Sequence, residues 1–242
     1  MMIVGIIPAR YASVRFPGKP LASLAGRPMV LHVLDAARAS RRLDRVVVAT
    51  EDERIASAVR SAGGEAVMTS PEAASGTDRL AEAARQLPAD AYVNVQGDEP
   101  LMSAENIDRA IETLIAGDDR AIATLAVPLD AAQAPDPNVV KVAIARDGRA
   151  LYFSRSPIPH FRQGPPAYRK HLGLYVYRAP TLAALAALPP SPLERAESLE
   201  QLRWLEAGHT IWVGEAATDS IGVDTPEDLA RAEQLLKREV AS

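Results

Sequence analysis

MIVGIIPARYASVRFPGKPL, residues 2–21, joins a continuous apolar run to a loop that carries Arg10, Arg15 and Lys19. The run at 2–7 shows no polar–apolar alternation, which is the pattern of a strand covered on both faces. Pro8 ends it, and Pro17, Gly18 and Pro20 stiffen the loop behind it. A strand covered on both faces needs helices above and below it. The residues that follow should therefore switch between helical and strand periods.

They do. Pro28 stands at a first helical position, and Val30, Val33, Leu34 and Ala37 follow at helical spacing. RVVVA (45–49) is a second buried strand. Ile55, Ala58, Val59 and Ala62 mark a helix ended by Gly63-Gly64. AVMT (66–69) is a short strand, and Leu80, Ala83, Ala84 and Leu87 mark a helix stopped by Pro88. AYVNV (91–95) is a strand running into QGDEP, and Ile107, Ile111 and Leu114 give one more helix. This alternation predicts an α/β fold, a doubly wound, mostly parallel sheet with right-handed crossovers.

The pattern changes after about residue 121. AIATLAVPL leads to VVKVAIARDGRALYFSR, two strand-like runs around Asp147-Gly148, a hairpin signal. HLGLYVYRA (171–179) and TIWVGEA are further strands. SPLERAESLEQLRWLEAG opens with Ser191 and Glu194 at capping-box spacing and closes with Gly208, so one bounded helix is expected there. A final helix starts at Thr225, with Pro226 first and Asp228 as reciprocal cap. The expectation is a single domain over 1–242, with an antiparallel insertion at 121–216 packed beside the parallel first half at 1–120.

Composition narrows the function. With 48% hydrophobic and 24% charged residues in 242, the chain can bury a core of ordinary size. A net charge of −4 argues against a general nucleic-acid or anionic-membrane surface, so an anionic ligand must be met by a local cluster of cations. The absence of cysteine excludes disulfides, thiolate metal sites and a cysteine nucleophile. MMIVGIIPARY lacks a positively charged leader, and its apolar run is too short for a signal peptide or a membrane span. A cytoplasmic location is expected.

The basic loop leaves the carboxyl end of the first strand, where open parallel sheets bind ligands. Three cations there suit a polyphosphate, although a solvated basic loop would have the same composition. No two glycines are spaced G-x-G, Gly18-Lys19 is followed by proline, and no H-E-x-x-H occurs. Asp98, two residues beyond a strand in NVQGDEP, either starts the turn before Pro100 or holds Mg²⁺, with Gly97 admitting a ligand to the backbone. Asp224 in GVDTPED either favours the helix dipole or is a second metal carboxylate. Together with the basic loop, the two fit a metal-assisted nucleotidyl-transfer site.

These stretches resemble the 3-deoxy-manno-octulosonate cytidylyltransferases, also called CMP-Kdo synthetases. IIPARYASVRFPGKPL, GRPM, VATEDERI, SGTDRLAE, VNVQGDEP, TLAVP, NVVKV, ALYFSRSPIP, KHLGLYVYRA, PSPLERAESLEQLRWLEAG and GVDTPEDL carry the resemblance in order across nearly the whole chain. The first loop alone would indicate a sugar nucleotidyltransferase. YFSRSPIP, HLGLY and LEQLRWLE are more specific.

The resemblance implies a nucleotide-diphospho-sugar transferase-like fold. It also implies CTP-dependent activation of Kdo with release of pyrophosphate for lipopolysaccharide synthesis, Mg²⁺ as cofactor, and a homodimer. It makes 1–120 mainly nucleotide-binding and 121–216 the sugar-binding and dimerisation region. Arg10, Arg15 and Lys19 would hold the triphosphate, with Arg10, Lys19 and Asp98 catalytic. Ser75, Gly76 and Arg79 would hold the nucleotide, and Asp98 and Asp224 the metal. Gln96, Arg155, His171, Tyr175, Glu200 and Gln201 would line the sugar pocket. Taken alone, Arg155 reads equally as a surface arginine, His171 as a hydrogen-bonded strand residue and Tyr175 as core. The short connector at 159–170, Lys170 and Ala74 depart from the family pattern and bear on fine substrate preference. An 8-amino-Kdo or sialic acid substrate keeps the same chemistry. A non-catalytic sugar-nucleotide binder is disfavoured, because binding alone would not need Lys19, Asp98 and Asp224 together.

Overall fold

The apolar run that opens the chain becomes β1 (Ile3–Pro8), buried along nearly its whole length, in a computed structural model that describes residues 1–12, 16–73 and 75–240. Arg15 and Ala74 lie outside the described residues. By contacts the chain forms two compact units, 1–108 with 220–242, and 109–219.

In the first unit β1 is followed by β2 (Ser23–Leu24), β3 (Arg27–Pro28), α1 (Met29–Arg38), β4 (Arg45–Thr50), α2 (Glu53–Ser61), β5 (Ala66–Met68), α3 (Gly76–Ala84) and β6 (Ala91–Asn94). β6, β1, β4 and β5 lie side by side in that order, all parallel. Every carboxyl end therefore points the same way, and the loops after β1, β4 and β6 share one edge. Pro28 precedes the first helical residue rather than being it. α2 starts where the Asp52 carboxylate accepts the Arg54 N–H, and α3 starts on a capping box between Ser75 and Asp78. α4 (Ala104–Ile115) contains the boundary between the units.

The second unit is largely antiparallel. β7 (Ile122–Leu129) is followed by β8 (Lys141–Ile144) and β9 (Ala150–Ser154), the hairpin expected around Asp147-Gly148. Gly148 has φ +93°, which a residue with a side chain rarely adopts. β10 (Tyr168–Arg178) runs antiparallel to β7, with a register shift between Leu172 and Tyr175. Helices α5 (Ala179–Ala186), α6 (Pro192–Glu197) and α7 (Gln201–Glu206) precede β11 (Trp212–Glu215), which pairs parallel with β7.

The single helix expected over 191–208 is two. Ser191 and Glu194 do form the capping box, but the chain breaks at Ser198, which takes a left-handed conformation at φ 52°. Arg155 supplies the reason. Its Nε donates to Glu197 O at 2.7 Å and its Nη2 to Ser198 O at 3.3 Å. A continuous helix would give those carbonyls to the N–H groups of residues 201 and 202.

The last helix, α8 (Pro226–Val240), returns to the first unit. Leu24, Met29, Val223 and Ala232 form a fully buried cluster, against which Phe16, Leu101, Ile221, Leu229 and Leu236 pack. One oxygen of Asp228 accepts Asp224 N, Thr225 N and Thr225 Oγ1, each at 3.0 Å, while Asp228 N donates to Thr225 Oγ1. The expected cap thus also orients Asp224. Asp228→Ala is expected to lower unfolding stability by about 1–2 kcal/mol, the scale of a lost N-cap, as read by urea unfolding.

Candidate active site

At the shared carboxyl edge the first unit holds a cavity of about 280 Å³, close to the lower end of small-molecule sites. Its lining draws on the basic loop (Arg10, Lys19), the start of α3 (Ser75, Gly76, Arg79), the turn after β6 (Gln96, Gly97, Asp98) and Asp224. The seven described residues assigned to nucleotide and metal by sequence in this unit, with Gln96, therefore meet in one place.

Lys19 sits at the centre. It is 8% exposed and opens a single 3₁₀ turn, Lys19–Leu21, behind Gly18 at φ 71°. Its ammonium donates to Asp98 Oδ2 at 2.6 Å, to Asp224 Oδ1 at 3.1 Å and to Val223 O at 3.1 Å. An ammonium has three N–H donors, and all three are used. The two carboxylates come from parts of the chain more than a hundred residues apart, and Val223 N closes the arrangement by donating to Asp98 O. Like charges this close are tolerated because a cation lies between them. Gly97 permits the turn that brings Asp98 there, since an added Cβ would lie 2.5 Å from Pro8 O.

Arg10 is exposed beside this cluster. Arg79 is buried, with Nη1 donating to Thr69 Oγ1 and standing 2.9 Å from Glu51 Oε2. Ser75 uses its hydroxyl for the α3 cap, so that helix presents an ordered N-terminus to the cavity, a favourable place for an anion. Among the described residues no group of three or more His, Asp or Glu side chains could hold a metal ion. Asp98 and Asp224 offer hard oxygen donors around a cation already in place, and Mg²⁺ commonly takes only one or two carboxylates beside substrate phosphates. The donor set fits that ion. Glu51 and Thr69 were missed from sequence. The signal for Glu51 was its place one residue beyond β4, at the same edge as the other loops.

The remaining assigned residues lie in the second unit. His171, Tyr175, Tyr177 and Trp204 form an aromatic cluster with Phe153. The hydroxyl of Tyr175 and Nε1 of Trp204 are buried without a hydrogen-bond partner. Gln201 is buried at the start of α7, and Glu200 is half-buried, 3.6 Å from Arg203. Arg155 is occupied by the carbonyls of Pro137, Glu197 and Ser198. Beside it Lys141 is buried and donates to Asp136 O, Val139 O and Arg155 O; burial pulls its pKa below the ordinary lysine value.

Residues 4–211 match the model of the cytidylyltransferase family. The chain belongs to the cytidylyltransferase family. Among its members, a 3-deoxy-manno-octulosonate cytidylyltransferase of Syntrophobacter fumaroxidans is 53% identical over 95% of this chain and 94% of its own length. One from Geobacter metallireducens is 50% identical over 98% and 99%. A solved CMP:2-keto-3-deoxy-manno-octonic acid synthetase complexed with CTP superposes with a TM-score of 0.95, at 42% identity, over 99% of this chain and 100% of that one. A thymidylyltransferase from Bacillus anthracis, described as a putative glucose-1-phosphate enzyme, matches at 18% identity with a TM-score of 0.68, which speaks to the fold alone. The expected fold class is met.

His171 gives this family member a pH signature. Its Nε2 lies 3.0 Å from Thr124 Oγ1, whose own proton goes to Leu174 O at 2.7 Å, so the neutral ring donates from Nε2. Burial lowers the pKa to about 3. The unfolded chain takes up this proton below the ordinary value of 6.5 and the folded chain does not. Stability is therefore full above that pH and is lost as pH falls toward the folded value, at about 1.4 kcal/mol per pH unit. Over pH 6.5 to 5, His171→Gln is expected to flatten the slope of unfolding free energy by about that amount. An unchanged slope would show that His171 is already protonated in the folded chain.

Proposed function

We propose that this chain transfers CMP from CTP to the anomeric hydroxyl of Kdo, releasing pyrophosphate. What carries the reading is the full-length similarity to the CTP-complexed CMP:2-keto-3-deoxy-manno-octonic acid synthetase, together with curated relatives of the same activity. The polar cavity around Lys19 supports it on chemical grounds.

In this reading the sugar oxygen forms a bond to the α-phosphorus, the bond from that phosphorus to the bridging oxygen breaks as pyrophosphate leaves, and the hydroxyl proton passes to solvent. Positioning and charge neutralisation supply most of the acceleration in such transfers. Arg10, Arg15 and Lys19 hold the triphosphate, and the α3 N-terminus at Ser75 and Gly76 and the guanidinium of Arg79 hold the nucleotide. Lys19, held beside the Asp98 and Asp224 carboxylates, would place its charge against the phosphates. Asp98 and Asp224 would then hold Mg²⁺, which supplies charge neutralisation on the phosphates and acidity to the attacking hydroxyl. His171, Tyr175, Glu200 and Gln201 of the second unit receive the sugar, while Gln96 lines the cavity of the first. The unpartnered Tyr175 hydroxyl and Trp204 Nε1 are buried polar atoms that a polar ligand or ordered water would satisfy. Arg155 contributes by holding the carbonyls at 137, 197 and 198. The product feeds lipopolysaccharide synthesis, the reaction runs in the cytoplasm, and the enzyme acts as a homodimer. Among the described residues no helix is long and apolar enough to cross a membrane.

Pyrophosphate release from CTP and Mg²⁺, with Kdo, 8-amino-Kdo and N-acetylneuraminate offered separately, tests the reading. Release with Kdo, abolished in Asp98→Ala, is expected. Release only with another acidic sugar would reassign the substrate, and CTP binding without release would leave a binding protein. Lys19→Ala is expected to lose on the order of 10²–10³ in kcat, the scale for removing one charge-stabilising donor, whereas near-normal turnover would remove Lys19 from the chemistry.

A further inference from the structure

Glu51 stands just past β4, the strand beside β1, at the edge from which the basic loop departs. Its carboxylate is shared between two partners. Oε1 accepts the backbone N–H of Tyr11 at 2.9 Å, and Oε2 lies 2.9 Å from Arg79 Nη1. The Arg79 and Glu51 side chains are only 4% and 14% exposed, so solvent screens their attraction little. Arg10, the neighbour of Tyr11, and Arg79 both line the cavity. The same turn holds Tyr11 a second way. Asp52 pairs with Arg54, whose guanidinium carbon lies 3.5 Å from the centre of the Tyr11 ring. Tyr11 O in turn accepts the N–H of Gly18, directly before Lys19. The flanks of the basic loop, Arg10 on one side and Lys19 on the other, are therefore both referenced to Tyr11, and Tyr11 is referenced to Glu51.

We propose that Glu51 is a positioning residue for nucleotide binding, fixing the basic loop through Tyr11 and the buried guanidinium of Arg79 through the same carboxylate. The proposal rests on the cavity being the CTP site. It makes a sign prediction that simple electrostatics does not. A carboxylate near a polyphosphate repels it, so removing an idle Glu51 would tighten CTP binding. Removing a positioning Glu51 weakens it.

CTP titrated calorimetrically into the full chain decides between them, with thermal melting to verify that each variant folds. Glu51→Ala is expected to raise the CTP Kd about tenfold or more, and Glu51→Gln, which keeps an oxygen for the Tyr11 N–H, about threefold. In an Arg79→Ala background the effect of Glu51→Ala should shrink, because part of it runs through that arginine. In turnover, KM for CTP should rise while KM for the sugar stays within about twofold. A folded Ala variant that binds CTP as tightly as the parent, or tighter, overturns the proposal. Should the Ala variant not fold, unchanged affinity in Glu51→Gln does the same. Equal losses with and without Arg79 overturn the part assigned to that residue. A parent chain that does not bind CTP at all overturns the proposed function and this role together, whereas a binding parent with an unaffected variant overturns this role alone.

Discussion

The ammonium of Lys19 needs three acceptors once it leaves water, and the first unit provides them from two distant parts of the chain. Much of the site follows from that requirement. Asp98 has to reach inward from the turn after β6, which needs Gly97 where any side chain would strike Pro8 O. Asp224 and Val223 O have to come back from the C-terminal segment, which needs the buried contacts of Val223 and Ala232 and the cap at Thr225 and Asp228. Removing the ammonium would leave two carboxylates facing one another, so the cation and the acidic pair depend on each other.

In the second unit, the buried Lys141 and the half-buried Arg155 organise backbone rather than carboxylates. Arg155 and Lys141 take six carbonyls between them, from Asp136, Pro137, Val139, Arg155, Glu197 and Ser198. Carbonyls left without a donor are costly, and these lie in turns, beside strand ends or at the end of α6, where the helix and strand ladders give out. The guanidinium fork suits two adjacent carbonyls at 197 and 198, and in taking them it ends α6. Arg155 therefore has a defined structural duty in the same unit as the aromatic cluster of His171, Tyr175 and Trp204. That cluster is buried enough to keep His171 neutral, so the ring acts as a hydrogen-bond donor and not as a charge.

Hydrophobic period and capping residues were sufficient to read the parallel strands, the hairpin at Asp147-Gly148 and the boundaries at Ser191 and Thr225, because each depends on neighbours within a few residues. The gathering of Arg10, Lys19 and Asp98 was legible for a related reason, while Ser75, Gly76, Arg79 and Gln96 were reached only through the family resemblance and Asp224 through its place before a helix. All but Asp224 follow strands or start helices at one edge of a parallel sheet, and that edge is set by topology. What sequence could not show is which partner each polar group takes. The break at Ser198 contradicts every local signal in AESLEQ, and it comes from an arginine more than forty residues earlier. Glu51 looks like any acidic residue before a helix until Tyr11 and Arg79 are seen on its two oxygens. Local sequence thus determined where the elements lie and which loops meet, since those follow from short-range sterics and burial. Only the tertiary structure decided how the charges pair, because a buried ion or carbonyl takes whatever partner the fold brings within about 3 Å, however far away it lies in the chain.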